Sequence, residues 1–128
     1  MKRMILAATA VILAGSLLAH AETKTKKAAA SSSVTLTGEI LDLSCYLGHD
    51  HSAGKDHAKC AKACLTGKGA SAGLLTKDGK VYLLVGGHDN GDVYKTACNL
   101  GGEQAKVTGT KSDKGGLQAI VIEKVEKL

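Results

Sequence analysis

The chain has no proline, no phenylalanine and no tryptophan, and only three tyrosines. Without large aromatics it offers few of the stacking platforms on which single-stranded nucleic acids rest. Without proline, its sharp changes of direction fall to 16 glycines, a composition suited to a small, tightly curved β structure. Several chemical signatures are missing as well. There is no C-x-x-C of the thioredoxin kind and no C-x-x-C-H haem attachment. Ser44 stands in no nucleophile elbow, and Asp42 has no paired carboxylate in the sequence. The stretch Gly86-Gly87-His88-Asp89-Asn90-Gly91 lacks the lysine and hydroxyl of a phosphate loop, and its acids do not follow EF-hand spacing. It reads as a turn leading into a helix. No internal repeat is present.

What is present begins with an export signature. Lys2 and Arg3 precede an apolar stretch from Met4 to Leu18, followed by Ala19-His20-Ala21, an A-x-A cleavage signal. The stretch is too short for a confident transmembrane helix, and no cysteine stands at the cleavage point to carry a lipid. Residues 1–21 therefore read as a signal peptide, 22–33 as a flexible Lys/Ala/Ser leader and 34–128 as one small domain. The expected location is the periplasm or the cell exterior, with no integral membrane span after cleavage. The net charge of +5 comes mostly from the N-terminal segments: from Val34 onward, 12 basic side chains face 11 acidic ones. A nearly neutral surface poor in aromatics argues against nucleic acid as a partner.

From Val34 the pattern is mainly β. Val34, Leu36, Gly38 and Ile40 share one strand face, and the apolar parity then slips to Leu41 and Leu43, which predicts a bulge or strong bend between Gly38 and Leu41. Leu74–Thr76 and Lys80–Val85 flank Lys77-Asp78-Gly79, a hairpin signal. Gln104–Thr110 and Leu117–Val125 form a second pair around Gly115-Gly116. Two short helices interrupt the strands, one over 57–66 capped by Asp56 and one over 93–100 capped by Asp92. About five strands with these helices predict a small OB-like β-barrel.

The chemically dense segment is Cys45 to Cys64, which also holds His49, His51, His57 and Cys60. Thiolate and imidazole are the ligands zinc and copper prefer. At about 100° per residue, His57, Cys60 and Cys64 fall within about 60° of arc on one helix face. Cys45, at the end of the first strand, can be brought over that face to complete a Cys₃His set, with His49 and His51 as further candidate ligands in the loop. The competing account is disulfide formation among Cys45, Cys60, Cys64 and Cys98, each bridge contributing about 2–4 kcal/mol. Cys60 with Cys64 is the least comfortable pair, because i and i+4 β-carbons lie about 5–6 Å apart and a disulfide prefers about 3.5–4.5 Å. A reactive redox thiol has the least support, since Cys60 and Cys64 are beyond the first helical turn.

The run Gly38-Glu39-Ile40-Leu41-Asp42-Leu43-Ser44-Cys45-Tyr46-Leu47, then His57-x-x-Cys60-x-x-x-Cys64, then Gly73-Leu74-Leu75-Thr76-x-Asp78-Gly79, resembles a group of small exported bacterial proteins built on an OB-like barrel. The likeness covers most of the chain from Val34. It implies the fold and an extracytoplasmic location, and no activity is established for the group. Cys45, His57, Cys60 and Cys64 belong to the matched pattern, whereas Cys98 does not clearly do so. The expectation is thus a non-enzymatic exported protein with a zinc or copper site at Cys45, His57, Cys60 and Cys64. The alternative is a disulfide-stabilised module that docks on an envelope protein.

Overall fold

Alternation of apolar and polar residues along five segments becomes the inside and outside of a closed barrel. The computed structural model describes residues 32–50 and 52–128, so the signal-peptide reading of 1–21, most of the leader reading of 22–33, and His51 lie outside the described residues. The strands are β1 (Ser32–Asp42), β2 (Ala72–Thr76), β3 (Val81–Gly86), β4 (Gln104–Lys114) and β5 (Leu117–Lys127). Their order is β1-β2-β3-β5-β4, closed by β1 on β4. Every pairing is antiparallel except β3 with β5. This is an OB-like barrel. Ser32 and Ser33, read from sequence as the leader's end, already pair with Lys111 and Thr110.

The expected bulge in β1 is not there. Gly38 to Asp42 pair in step with Thr76 to Ala72. The parity slips because both faces of the strand's end are covered. Ile40 joins the barrel core, and Leu41, on the opposite face, is equally buried where α2 (Ala58–Gly67) packs against β1. The register break falls elsewhere: Thr108 pairs with Lys124 and Gly109 with Ile122, which leaves Glu123 as the extra residue of β5.

The core is aliphatic. Ile40, Leu74, Leu84, Val107, Ile120 and Ile122 are each at most 2% exposed, and Leu65 of α2 joins them. Each such side chain contributes about 1.5–3 kcal/mol by leaving water. The described residues form three helices rather than two. Besides α2 there are α1 (Leu43–Gly48), directly after β1, and α3 (Gly91–Asn99), between β3 and β4. The caps also differ from expectation: the N-cap residues are His57 for α2 and Asn90 for α3, neither making a side-chain cap bond, while Asp92 lies in the first turn of α3. No helix among the described residues is long and apolar enough to cross a membrane.

Two glycines set the position of α2. At Gly101 an added Cβ would lie 2.7 Å from the Lys62 nitrogen, and at Gly102 it would lie 2.3 Å from Ala58 Cα. Gly102 also has φ +76°, and its N–H donates to the Ile40 carbonyl at 2.7 Å. The helix therefore rests on bare backbone that is itself tied to β1. Gly102→Ala is expected to destabilise the protein by about 1–3 kcal/mol through strain and displacement of α2. Gly67→Ala, which meets open space at ordinary φ, should stay within about 1 kcal/mol of wild type. Urea unfolding of the two variants checks the contrast.

Candidate metal centre

The centre is assembled where β1 ends. Asp42 is the N-cap of α1, and its Oδ1 accepts the Ser44 N–H at 2.8 Å and the Cys45 N–H at 3.3 Å. Asp at a cap satisfies amides that the helix itself leaves free, which is why the chain turns from strand to helix here. That turn places Cys45 on α1. The following loop is held in shape: the Ser52 hydroxyl donates to the His49 carbonyl at 2.8 Å, and the Gly54 N–H donates to Glu39 Oε1 at 2.6 Å. The His57 N–H then bonds the Gly54 carbonyl at 3.0 Å and starts α2. The face carrying His57, Cys60 and Cys64 thereby meets Cys45.

The donor atoms of Cys45, His57 and Cys60 all lie within 4.8 Å of one another, and so do those of Asp42, Cys45 and Cys64. Cys45 belongs to both sets. Burial deepens across the cluster, from exposed Cys60 through half-buried Cys45 and His57 to buried Cys64 and Asp42. All four residues of the expected ligand set are thus in the cluster, distributed over two overlapping triads. His49 is exposed at the end of α1 and belongs to neither, and His51 lies outside the described residues. Cys98 is buried on α3 among core residues, also in neither triad. All four cysteines are free thiols, so none of the disulfide pairings considered for Cys45, Cys60, Cys64 and Cys98 is formed.

Asp42 is the participant that sequence reasoning passed over. Its signal was an acid at the end of an apolar strand, three residues before a cysteine, which is cap spacing. Burial raises its pKa, but the Cys45 thiol, the Cys45 and Ser44 amides and the Cys64 thiol together outweigh that and hold it below the usual carboxylate value. The cost is passed to the sulfurs. Asp42, burial and the neighbouring thiols push Cys45 up to about 12. Burial, Asp42 and Cys60 raise Cys64. Cys98 is raised by burial alone, against a hydrogen bond with Tyr94.

Two polar atoms of the cluster are left without a hydrogen-bond partner: His57 Nε2 and Asp42 Oδ2, both buried. The Cys45 and Cys64 thiols hydrogen-bond with the Asp42 carboxylate, while Oδ2 itself has no partner. An unsatisfied buried polar atom costs about 1–3 kcal/mol. Each triad includes one of the two residues that carry an orphan. With bonds of about 2.0–2.3 Å, tetrahedral zinc spaces its donors about 3.5–3.8 Å apart, so separations below 4.8 Å leave about one ångström to close. The donor chemistry and the orphaned atoms fit a metal ion. Two surface grooves lie elsewhere, one of about 420 Å³ beside Thr35, Thr37 and Lys80 and one of about 280 Å³ beside Glu39 and Lys55. Neither is lined by the cysteines.

Compared with known proteins, the chain matches no family model, no curated protein and no solved structure.

Because the hydrogen bond to Asp42 is the largest cause of the Cys45 shift, with burial and the Asp42 charge behind it, the reduced, metal-free protein should alkylate slowly at Cys45 at pH 9, and Asp42→Asn should accelerate that reaction. Quantitative peptide mass spectrometry reads both rates. The same shift sets a sign for stability. Unfolding lets Cys45 ionise near the ordinary thiol value of 9.0, whereas the folded thiol resists until about 12. The unfolded state therefore binds fewer protons between those values. Stability contributed below pH 9 is lost as pH rises towards 12. Chemical unfolding of the metal-free protein across this range should show the fall, and Asp42→Asn should flatten it.

Proposed function

We propose that this is an exported, non-enzymatic protein that binds a borderline or soft transition ion, zinc(II) or copper(I), through Cys45, His57 and Cys60, with Cys64 beside them. The observation that carries this reading is a ring nitrogen of His57 held within 4.8 Å of two thiol sulfurs, on an imidazole whose buried Nε2 has no hydrogen-bond partner. Imidazole nitrogen and thiolate sulfur are the donor pair zinc and copper select, and their convergence from two separate helices is what a tetrahedral ion requires.

The redox state of the cysteines supports the same conclusion. Exposed thiols in an oxidising compartment tend to pair, and a metal ion that engages them as thiolates protects them. Export itself rests on the N-terminal charge, apolar stretch and A-x-A signal, and it would place partners in the cell envelope. The absence of an enzymatic role rests on the sequence, in which no nucleophile–base pattern or paired carboxylate accompanies the cluster. A nearly neutral folded part without phenylalanine or tryptophan argues against an oligonucleotide as ligand.

Protein isolated from an oxidising periplasm without chelator should carry zinc or copper by native mass spectrometry, with its thiols unoxidised. His57→Ala and Cys60→Ser should each lower the metal content, whereas Cys98→Ala should leave it unchanged. Zinc at a hundredfold excess over its Kd should stabilise the fold by about 2.7 kcal/mol, reversibly with chelator. Unchanged metal content in both ligand variants would sink the proposal. A metal-free mass lighter by about four hydrogens would instead make this a disulfide-stapled interaction module.

A further inference from the structure

We infer that the cluster holds two divalent ions bridged by the thiolate of Cys45, one bound by Cys45, His57 and Cys60 and the second by Asp42, Cys45 and Cys64. This rests on the metal-binding reading above and extends it to a second site and a shared ligand.

Three observations converge on it. First, the two triads meet only at Cys45. Zinc takes four donors, so a single ion does not engage all five residues, and the two triads share no second member. A thiolate has several lone pairs and can serve two ions at once. Second, each triad includes one residue with an unsatisfied buried atom, His57 through Nε2 and Asp42 through Oδ2. Asp42 is only 1% exposed, and its Oδ1 is already occupied by the amides of α1. Its second oxygen is a buried acceptor without a hydrogen-bond partner, on a carboxylate that sits beside the Cys45 and Cys64 thiols. One ion at His57 would leave that oxygen as it is; a second ion at Asp42 would satisfy it.

Third, the charges balance. Engaged as ligands, Cys45, Cys60 and Cys64 are thiolates and Asp42 is a carboxylate, giving four negative charges, with His57 neutral. Two divalent cations cancel them. One divalent cation at Cys45, His57 and Cys60 would leave Cys64 a protonated thiol and one net negative charge beside buried Asp42, which is costly. Neutrality also selects zinc(II) over copper(I) for the doubly loaded form. Each ion has three protein donors and a remaining coordination position, as in sites that exchange ligands rather than closed structural ones. The ion beside exposed Cys60 is the outer one, and the ion beside buried Cys64 and Asp42 is the inner one.

Titration of reduced, metal-free protein with zinc under anaerobic conditions, followed by native mass spectrometry, reads the stoichiometry. Wild type should take two ions. Asp42→Asn and Cys64→Ser should each take one, and His57→Ala should also take one. Asparagine can still cap α1 through its side-chain oxygen, and an unchanged far-UV circular dichroism spectrum would separate loss of the inner ion from loss of fold. Cys45→Ser should lose both ions. In cadmium-113 NMR the loaded protein should give two resonances coupled to each other through the shared sulfur.

Wild type that takes a single ion, still dependent on His57 and Cys60, would overturn the two-ion inference and leave the metal-binding reading standing. No ion at all would overturn both. Two ions retained in Asp42→Asn would remove Asp42 from the inner site, and two uncoupled resonances or one ion kept in Cys45→Ser would remove the bridge.

Discussion

The carboxylate of Asp42 joins the barrel to the chemistry. As the last residue of β1 it is fixed by the ladder to β2, where it pairs with Ala72. One of its oxygens starts α1 and so determines where Cys45 stands; the other faces the sulfurs of the cluster. A single buried side chain therefore sets a backbone turn, orients a ligand and supplies negative charge. The protonation of the thiols follows from it, because a carboxylate held ionised beside Cys45 makes a second negative charge there expensive until a cation arrives.

The opposing side of the cluster is fixed by packing. Leu65 anchors α2 in the core, and Gly101 and Gly102 let the helix backbone approach the turn before β4 closely. His57, Cys60 and Cys64 inherit their placement from that contact. Ligands on α1 are thus positioned by hydrogen bonding, and ligands on α2 by apolar burial and close backbone approach. The loop between them is tied back to β1 through Glu39 and the Gly54 amide.

Much of this was legible in the residues. Period-two alternation and the Asp78-Gly79 and Gly115-Gly116 turns predicted all five strands and both hairpins, because those signals are local. The face of α2 was legible for the same reason, since a helix puts residues 57, 60 and 64 on one side whatever surrounds it. The slip of parity at Leu41 was misread as a bulge because burial of both faces comes from a helix that is close only in space. The short α1 was missed because its six residues give no period to detect, and Asp42 because its role depends on Cys64, which is distant in sequence. Cys98 looked equivalent to the other cysteines, yet the barrel places it in the core on α3.

The donors all sit on β1's last residue and on the two helices inserted between β1 and β2, while the aliphatic core is contributed mainly by the strands. In a zinc finger the ion stands in for a core, and emptying the site unfolds the domain. Here the barrel closes on its own side chains, and the thiol cluster lies apart from that core. Were the proposed ion bound, its departure would take no apolar contact of the barrel with it.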